Sequence, residues 1–314
     1  MSQKILLVQL ASLGDCLFVT TIAKQIKEID YPKCHLTWMI TSRCRQVIKN
    51  NPFIDNVIEI PLNNLKDIQG SRNSIAQYMN ANNYSALYDK IFVTDFTKEN
   101  AKNWYGTTRS SLFRSYPHEL KINPQPIIFL DDTEKKNVAT FCMHKKITDR
   151  TFNILVEYAP QSGQSRLNFH RVMYIANQIV AKAHPPKIIL SSVKAFDTGN
   201  ENIIDASSLS WRENAELANY CDLIVGCSSG ISWLCTSNAT KQLPFIQVID
   251  PNYMNGRFSA SMKLDFLYFG IETANLIEMW NPTDEQLKDC ILKAIIDMPG
   301  AKKKYDIDNE LLFC

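Results

Sequence analysis

The chain has 314 residues, 45% of them hydrophobic and 21% charged, with 34 Lys and Arg against 32 Asp and Glu for a formal net charge of +2. The length suits two domains of about 150 residues each, and the composition excludes extensive disorder. A balance so near neutrality argues against a nucleic-acid partner, which calls for a basic face.

Lys4 to Leu10 is a compact apolar run and reads as a buried parallel strand. It leads into a turn with Gly14, a glycine that suits a tight bend, and Asp15 to Ile29 then carries Leu17, Ile22, Ile26 and Ile29 at helical spacing. His35 to Ile40 reads as a second strand, Ser42 to Asn50 as a short helix with a basic face, and Asn56 to Pro61 as a third strand. A helix over Ser74 to Asn80 and a strand over Leu87 to Thr94 follow. This β-α-β-α-β opening predicts a parallel sheet with right-handed crossovers. Between Asp95 and Pro126 the period fades into an aromatic, arginine-rich stretch holding Arg109 and Arg114, and loops of that kind often carry binding residues. Ile127 to Leu130 reads as a strand, and Asp132 to Lys145 as a helix capped by Thr133.

The charged run Lys145 to Arg150 is read as the boundary between domains 1–148 and 149–314. The alternation then restarts with strands at Asn153 to Tyr158, Lys187 to Ser191, Asp222 to Gly226 and Pro244 to Ile249. Helices are predicted at Asn168 to Lys182, Arg212 to Asn219, Gly230 to Ser237 and Thr283 to Ile296. Thr283 with Gln286 three residues on is a capping box. This last helix is free to pack back on the N-terminal half. The nine cysteines include no C-x-x-C pair and no neighbouring histidine pair, so reduced, buried thiols are expected rather than disulfides or a metal site. The run Ile5 to Leu10 is too short for a signal-peptide core, and no stretch approaches the ~18 apolar residues of a membrane span.

Three strand-to-helix turns stand out. At Ser12-Leu13-Gly14-Asp15 the acidic residue either caps the helix or faces a ligand as a general base, taking a proton from a hydroxyl. At Gly226-Cys227-Ser228-Ser229-Gly230 small residues at a helix start either allow close packing or offer N–H groups and hydroxyls to a diphosphate. In the loop Gln161 to Arg166, residues Ser162, Gln164, Ser165 and Arg166 either face solvent or neutralise a departing phosphate. None of these is a dinucleotide G-x-G-x-x-G fingerprint.

The opening Lys4 to Asp15 resembles that of the family 9 glycosyltransferases, the lipopolysaccharide heptosyltransferases, whose first strand runs into a Ser-x-Gly-Asp turn. The likeness continues through His35 to Ile40, Asn51 to Ile58 and Glu216 to Gly230. It implies the α/β GT-B fold, two Rossmann-like domains with parallel sheets facing across a cleft, the first for an acceptor and the second for a nucleotide sugar. It implies inverting transfer of a sugar from a nucleotide-sugar donor to a hydroxyl of a glycan or glycolipid in bacterial lipopolysaccharide or cell-surface synthesis, with no metal or cofactor. Asp15 matches the family's proposed base. Ser12, Gly14, Arg109 and Arg114 are the acceptor-side candidates, and Ser162, Gln164, Ser165, Arg166, Ser228, Ser229 and Gly230 the donor-side ones. A cytoplasmic protein is expected, touching the inner membrane peripherally. The donor turn departs from the family pattern: Ser228-Ser229-Gly230 lacks the acidic residue, and Trp233-Leu234 stands where His-Leu is usual. The departures leave two other functions open, a nucleotide-sugar epimerase or hydrolase on the same fold and a non-catalytic nucleotide-sugar-binding protein.

Overall fold

The computed structural model describes residues 2–61, 67–97, 99–103, 107–158, 160, 163–191, 194–252 and 260–307. It contains two compact units, Met1–Phe129 and Leu130–Cys314.

In the first unit the strands are β1 (Lys4–Val8), β2 (His35–Thr41), β3 (Asn56–Ile60) and β4 (Lys90–Val93). They form one parallel sheet in the order β3-β2-β1-β4. Helix α1 (Leu13–Gln25) follows β1 and continues as a π-helical turn, Ile26–Asp30. The expected helix after β2 is a 3₁₀ segment, Ser42–Ile48. Helix α2 (Asp67–Ala81) is longer than its apolar pattern indicated, and the short α3 (Tyr84–Leu87) trims the expected fourth strand at its start. The aperiodic stretch contains α4 (Thr108–Arg114), whose Phe113 meets Phe18 of α1 edge-on at 6.1 Å. Leu6, Val8, Leu10, Met39, Ile75 and Tyr84 form a buried core on one face of the sheet.

Ile127 to Leu130 is not a strand. Its apolar residues Ile127 and Ile128 are buried. Its backbone, however, turns to α1: the Ile127 N–H donates to Thr20 Oγ1 at 2.8 Å, and the Thr21 hydroxyl donates to the Gln125 carbonyl at 2.6 Å. Two helix hydroxyls thus take the place of a neighbouring strand.

The second unit opens with α5 (Asp132–His144), capped by Asp131 rather than Thr133: the Glu134 N–H donates to Asp131 Oδ1 and the Asp131 N–H to Glu134 Oε2, both at 2.9 Å. The N-cap lies two residues earlier than the hydroxyl suggested. Then come β5 (Asn153–Glu157), α6 (Phe169–Val180), β6 (Lys187–Ser191), β7 (Ile203–Asp205), α7 (Glu213–Ala218), β8 (Leu223–Gly226), α8 (Gly230–Leu234), β9 (Phe245–Ile249), α9 (Met262–Tyr268), β10 (Leu276–Trp280), α10 (Asp284–Ile296) and α11 (Met298–Tyr305). All six strands are parallel, in the order β10-β9-β8-β5-β6-β7. Both sheets are open and doubly wound, and each reverses its winding beside its first strand. Helices α10 and α11 lie against α6 and β10 of their own unit. The expected boundary falls between residues 148 and 149, whereas the compact units divide at Phe129, since α5 packs on α7 through Glu134 and Arg212.

No helix among the described residues is long and apolar enough to cross a membrane. The eight described cysteines are free and buried. Burial pushes several thiols up, Cys142 and Cys290 to about 12, which suppresses the thiolate and its reactivity.

Candidate active site

In an open α/β sheet, ligands bind beyond the carboxyl ends of the strands, where the winding reverses. In the first unit that point lies between β1 and β4. The chain leaves β1 through Gln9-Leu10-Ala11-Ser12 and β4 through Thr94-Asp95. Gly14 sits inside the first turn of α1 and is not among the positive-φ glycines, so the bend precedes it, at a cis Ala11–Ser12 peptide.

The carbonyls of this bend are held one by one. The Trp38 indole N–H donates to the Gln9 carbonyl at 3.0 Å. The Thr41 hydroxyl donates to the Leu10 carbonyl at 2.6 Å. The Ala11 carbonyl accepts from Gln9 Nε2 and from Arg72 Nη2, both at 2.7 Å. Saturating buried carbonyls in this way fixes the bend and, with it, the first turn of α1.

Asp15 is the third helical residue and is 5% exposed. Its two oxygens are used differently. Oδ2 accepts the Ser12 N–H at 3.1 Å and the Ser12 hydroxyl at 3.0 Å, and Arg72 Nη2 lies 3.9 Å away. Oδ1 accepts no hydrogen bond from the described residues, and Arg109 Nε stands 3.8 Å from it. One oxygen therefore caps the helix while the other faces a cation. The cap uses Oδ2 alone and leaves Oδ1 outside it.

Of the acceptor-side candidates, Ser12, Asp15 and Arg109 come together here. Gly14 contributes only helix, and Arg114 turns away, donating to the Asn103 carbonyl at 2.8 Å and to Ser111 Oγ at 3.3 Å. Two residues not singled out in the sequence complete the site. Asp95, with no exposed surface, follows β4, and Arg72 comes from α2 with its side chain 13% exposed. Arg72 Nε donates to Asp95 Oδ1 at 2.5 Å, and its guanidinium carbon lies 5.3 Å from the centre of the Phe96 ring. Burial pushes the Asp95 carboxyl up from its usual range, against the pull of Arg72 and of the Leu10 and Phe96 N–H groups. An acidic residue directly after an apolar strand was the available signal for Asp95. Arg72, on a polar helix, left none.

In the second unit the reversal lies between β5 and β8. Here the loops holding Gln164 and Ser228 meet: Gln164 Nε2 donates to the Ser228 carbonyl at 3.1 Å. Ser228 takes a left-handed φ of 53°, and its N–H donates to Gln247 Oε1 at 2.6 Å. The Cys227 N–H donates to Glu157 Oε2 at 3.0 Å, so a buried carboxylate from the end of β5 holds the turn from beneath. Ser229 caps α8 by accepting the Ile231 N–H at 3.2 Å, and Gly230 is the first residue of that helix. Ser165 Oγ accepts the Leu167 N–H at 3.2 Å. Arg166 is 65% exposed along its side chain and pairs with Asp250 at 2.6 Å, so its charge is already shared. Hydrogen bonds from Asn281 and the Asn252 N–H, with Arg166, hold the Asp250 carboxyl below its usual range. Ser162 lies outside the described residues. Among the described residues no group of three or more metal-ligating side chains forms.

The packing at Gly226 makes one expectation concrete. A Cβ added there would lie 2.3 Å from Ser232 Oγ, which accepts the Cys227 N–H at 3.2 Å, and 3.0 Å from Gln247 Nε2. Gly226→Ala is expected to cost about 1–3 kcal/mol, the range for overpacking, read as a lowered urea midpoint. An unchanged midpoint would show that Ser232 moves aside freely.

No protein-family profile matches the chain. A curated relative, lipopolysaccharide heptosyltransferase 1 of Campylobacter coli, is 23% identical over an alignment covering 72% of this chain and 79% of its own length. The glycosyl transferase family 9 structure from Veillonella parvula covers 100% of this chain and 96% of its own at 16% identity and a TM-score of 0.60. The Escherichia coli heptosyltransferase WaaC with ADP covers 92% of this chain and 99% of its own at 12% identity and a TM-score of 0.55. Together with the two parallel sheets, these likenesses show the GT-B fold and make the chain similar to the lipopolysaccharide heptosyltransferases.

Proposed function

We propose that the chain is an inverting glycosyltransferase that moves a sugar from a nucleotide-sugar donor to a hydroxyl of a glycan or glycolipid acceptor, with Asp15 as general base. The single observation that carries this reading is the divided carboxylate of Asp15: Oδ2 is fixed by Ser12, and Oδ1 accepts no hydrogen bond from the described residues.

In the proposed step Oδ1 takes the proton of the acceptor hydroxyl. The acceptor oxygen bonds to the anomeric carbon from the face opposite the leaving group. The bond from that carbon to the diphosphate oxygen breaks, and its electron pair leaves with the nucleoside diphosphate. One displacement inverts the anomeric centre. The first unit takes the acceptor, Arg109 suiting an anionic one, and the second takes the donor, with Ser228, Ser229 and Gly230 at the diphosphate. Gln164 acts by holding the Ser228 carbonyl, and Ser165 and Arg166 lie beside this turn. Arg166 must exchange Asp250 for phosphate to help. A glycolipid acceptor brings the protein to the cytoplasmic face of the inner membrane as a peripheral contact. No metal or cofactor enters this step.

Thermal-shift titration with ADP-, UDP-, GDP- and CMP-linked sugars tests the donor half of the reading. One nucleotide class is expected to stabilise the chain by about 2.7 kcal/mol at a hundredfold excess over its dissociation constant. Truncated lipopolysaccharide then triggers release of the free nucleotide. Stabilisation with no release on adding acceptor favours a nucleotide-sugar-binding protein, and no stabilisation by any class sinks the donor site.

A further inference from the structure

A fully buried carboxylate with no place in the proposed step sits directly behind the base. Asp95 Oδ2 accepts the Leu10 N–H at 2.6 Å and the Ala11 N–H at 3.3 Å, and Oδ1 accepts the Phe96 N–H at 2.7 Å and Arg72 Nε at 2.5 Å. Two donors on each oxygen leave little capacity for a ligand. The groups it holds matter more than the charge it carries: the end of β1, the start of the loop after β4, and one edge of a guanidinium. Arg72 then uses Nη2 twice, donating to the Ala11 carbonyl at 2.7 Å and reaching within 3.9 Å of Asp15 Oδ2. The Phe96 ring lies 5.3 Å from the guanidinium carbon. A planar fork satisfies both requirements because its Nε and Nη2 point in fixed directions. A lysine ammonium is a single point and cannot bridge Asp95 and the Ala11 carbonyl in the same way.

We propose that Asp95 and Arg72 are a positioning pair for Asp15: buried Asp95 clamps the Arg72 guanidinium against the β1 bend, and Arg72 holds the Asp15 carboxylate by its Oδ2 so that Oδ1 is presented to the acceptor hydroxyl. Neither residue exchanges a proton with substrate. The pair connects α2, β1, β4 and α1 through one side-chain chain, so the base is set by elements far apart in sequence. The proposal rests on the reading of Asp15 as the base, and its test separates the two.

The first measurement is backbone hydrogen exchange on the full chain without ligand. Arg72→Lys is expected to speed exchange of the Ser12 amide at least ~10-fold, because the carboxylate that amide donates to is no longer held. Asp95→Asn is expected to do the same and also to free the Phe96 amide, since an amide nitrogen at the Oδ1 position now faces Arg72 Nε and the Phe96 N–H, while the amide oxygen keeps the Leu10 and Ala11 N–H groups. Unchanged Ser12 exchange in Arg72→Lys overturns the pair without reference to activity. The second measurement is turnover with the nucleotide sugar that stabilises the chain most and truncated lipopolysaccharide as acceptor. Arg72→Lys is expected to lower kcat roughly 10- to 100-fold, the scale of misplacing a catalytic group by about an ångström, with the donor KM within about twofold. In the Asp15→Asn background the same change is expected to add less than about twofold, since a unit already broken loses little more. Additive losses overturn the pairing. If Asp15→Asn alone leaves turnover intact, the base assignment fails while the exchange result still judges the clamp.

Discussion

Asp15→Asn is expected to lower kcat by at least ~100-fold, the usual scale for losing a general base, while leaving stability nearly unchanged. The distinction follows from the two oxygens. An asparagine carbonyl at the position of Oδ2 still accepts the Ser12 N–H and hydroxyl, now at 3.1 and 3.0 Å, so the first turn of α1 stays capped. The amide nitrogen then occupies the position of Oδ1, where it cannot take a proton and faces Arg109 Nε, 3.8 Å from the carboxylate oxygen it replaces. Asp15→Ala removes both functions and is expected to cost a further ~1 kcal/mol of stability through the lost cap. Steady-state transfer assays and urea unfolding on the two variants separate the roles. Turnover of Asp15→Asn within a few-fold of the parent would falsify the base assignment and leave Asp15 as a cap.

The largest stability effect is expected from the pair that ties α5 to α7. Arg212 Nε meets Glu134 Oε1 at 2.6 Å and Nη2 meets Oε2 at 3.2 Å, with side chains 4% and 10% exposed. Glu134 Oε2 also accepts the Asp131 N–H at 2.9 Å, so the pair closes the first turn of α5 as well. Arg212→Met leaves a buried carboxylate without its counter-ion and is expected to cost about 3–5 kcal/mol. Arg212→Met combined with Glu134→Leu is expected to recover much of that loss, because no charge is then left buried and unpaired. Urea midpoints of the single and double variants check both. A single variant within ~1 kcal/mol of the parent would mean that water reaches Glu134 and solvates it.

Most of the parallel strands were legible because they are continuous apolar runs followed by a polar turn. Lys187–Ser191 matches its expected bounds, and the Thr283–Gln286 capping box forms as spaced. Elements without that contrast were not legible. β7 is a three-residue edge strand after a loop of Asn, Gly and Thr, and β10 carries Glu278 inside its apolar run, where the charge breaks the pattern. Glu278 can lie buried there because Ser261 and the Lys263 N–H donate to it at 2.8 and 3.1 Å, partners 17 and 15 residues away. Helix α11 begins with Met298-Pro299-Gly300, and proline is tolerated in a first turn. The site divides the same way. Asp15 announced itself through its turn, whereas Arg72 joins it only through tertiary packing, which a local pattern cannot encode.

The double use of Asp15 has a thermal consequence. The atoms that cap α1 also hold the proposed base, so the first turn of a 13-residue helix is at once a structural end and a catalytic mount. Helix ends open at far lower free energy than sheet cores. On the proposed reading, each brief fraying of Ser12 to Asp15 disarms the enzyme while both sheets stay folded. Activity then fades on heating ahead of any global unfolding signal, and a ligand that seats on Oδ1 acts as a second cap for the helix.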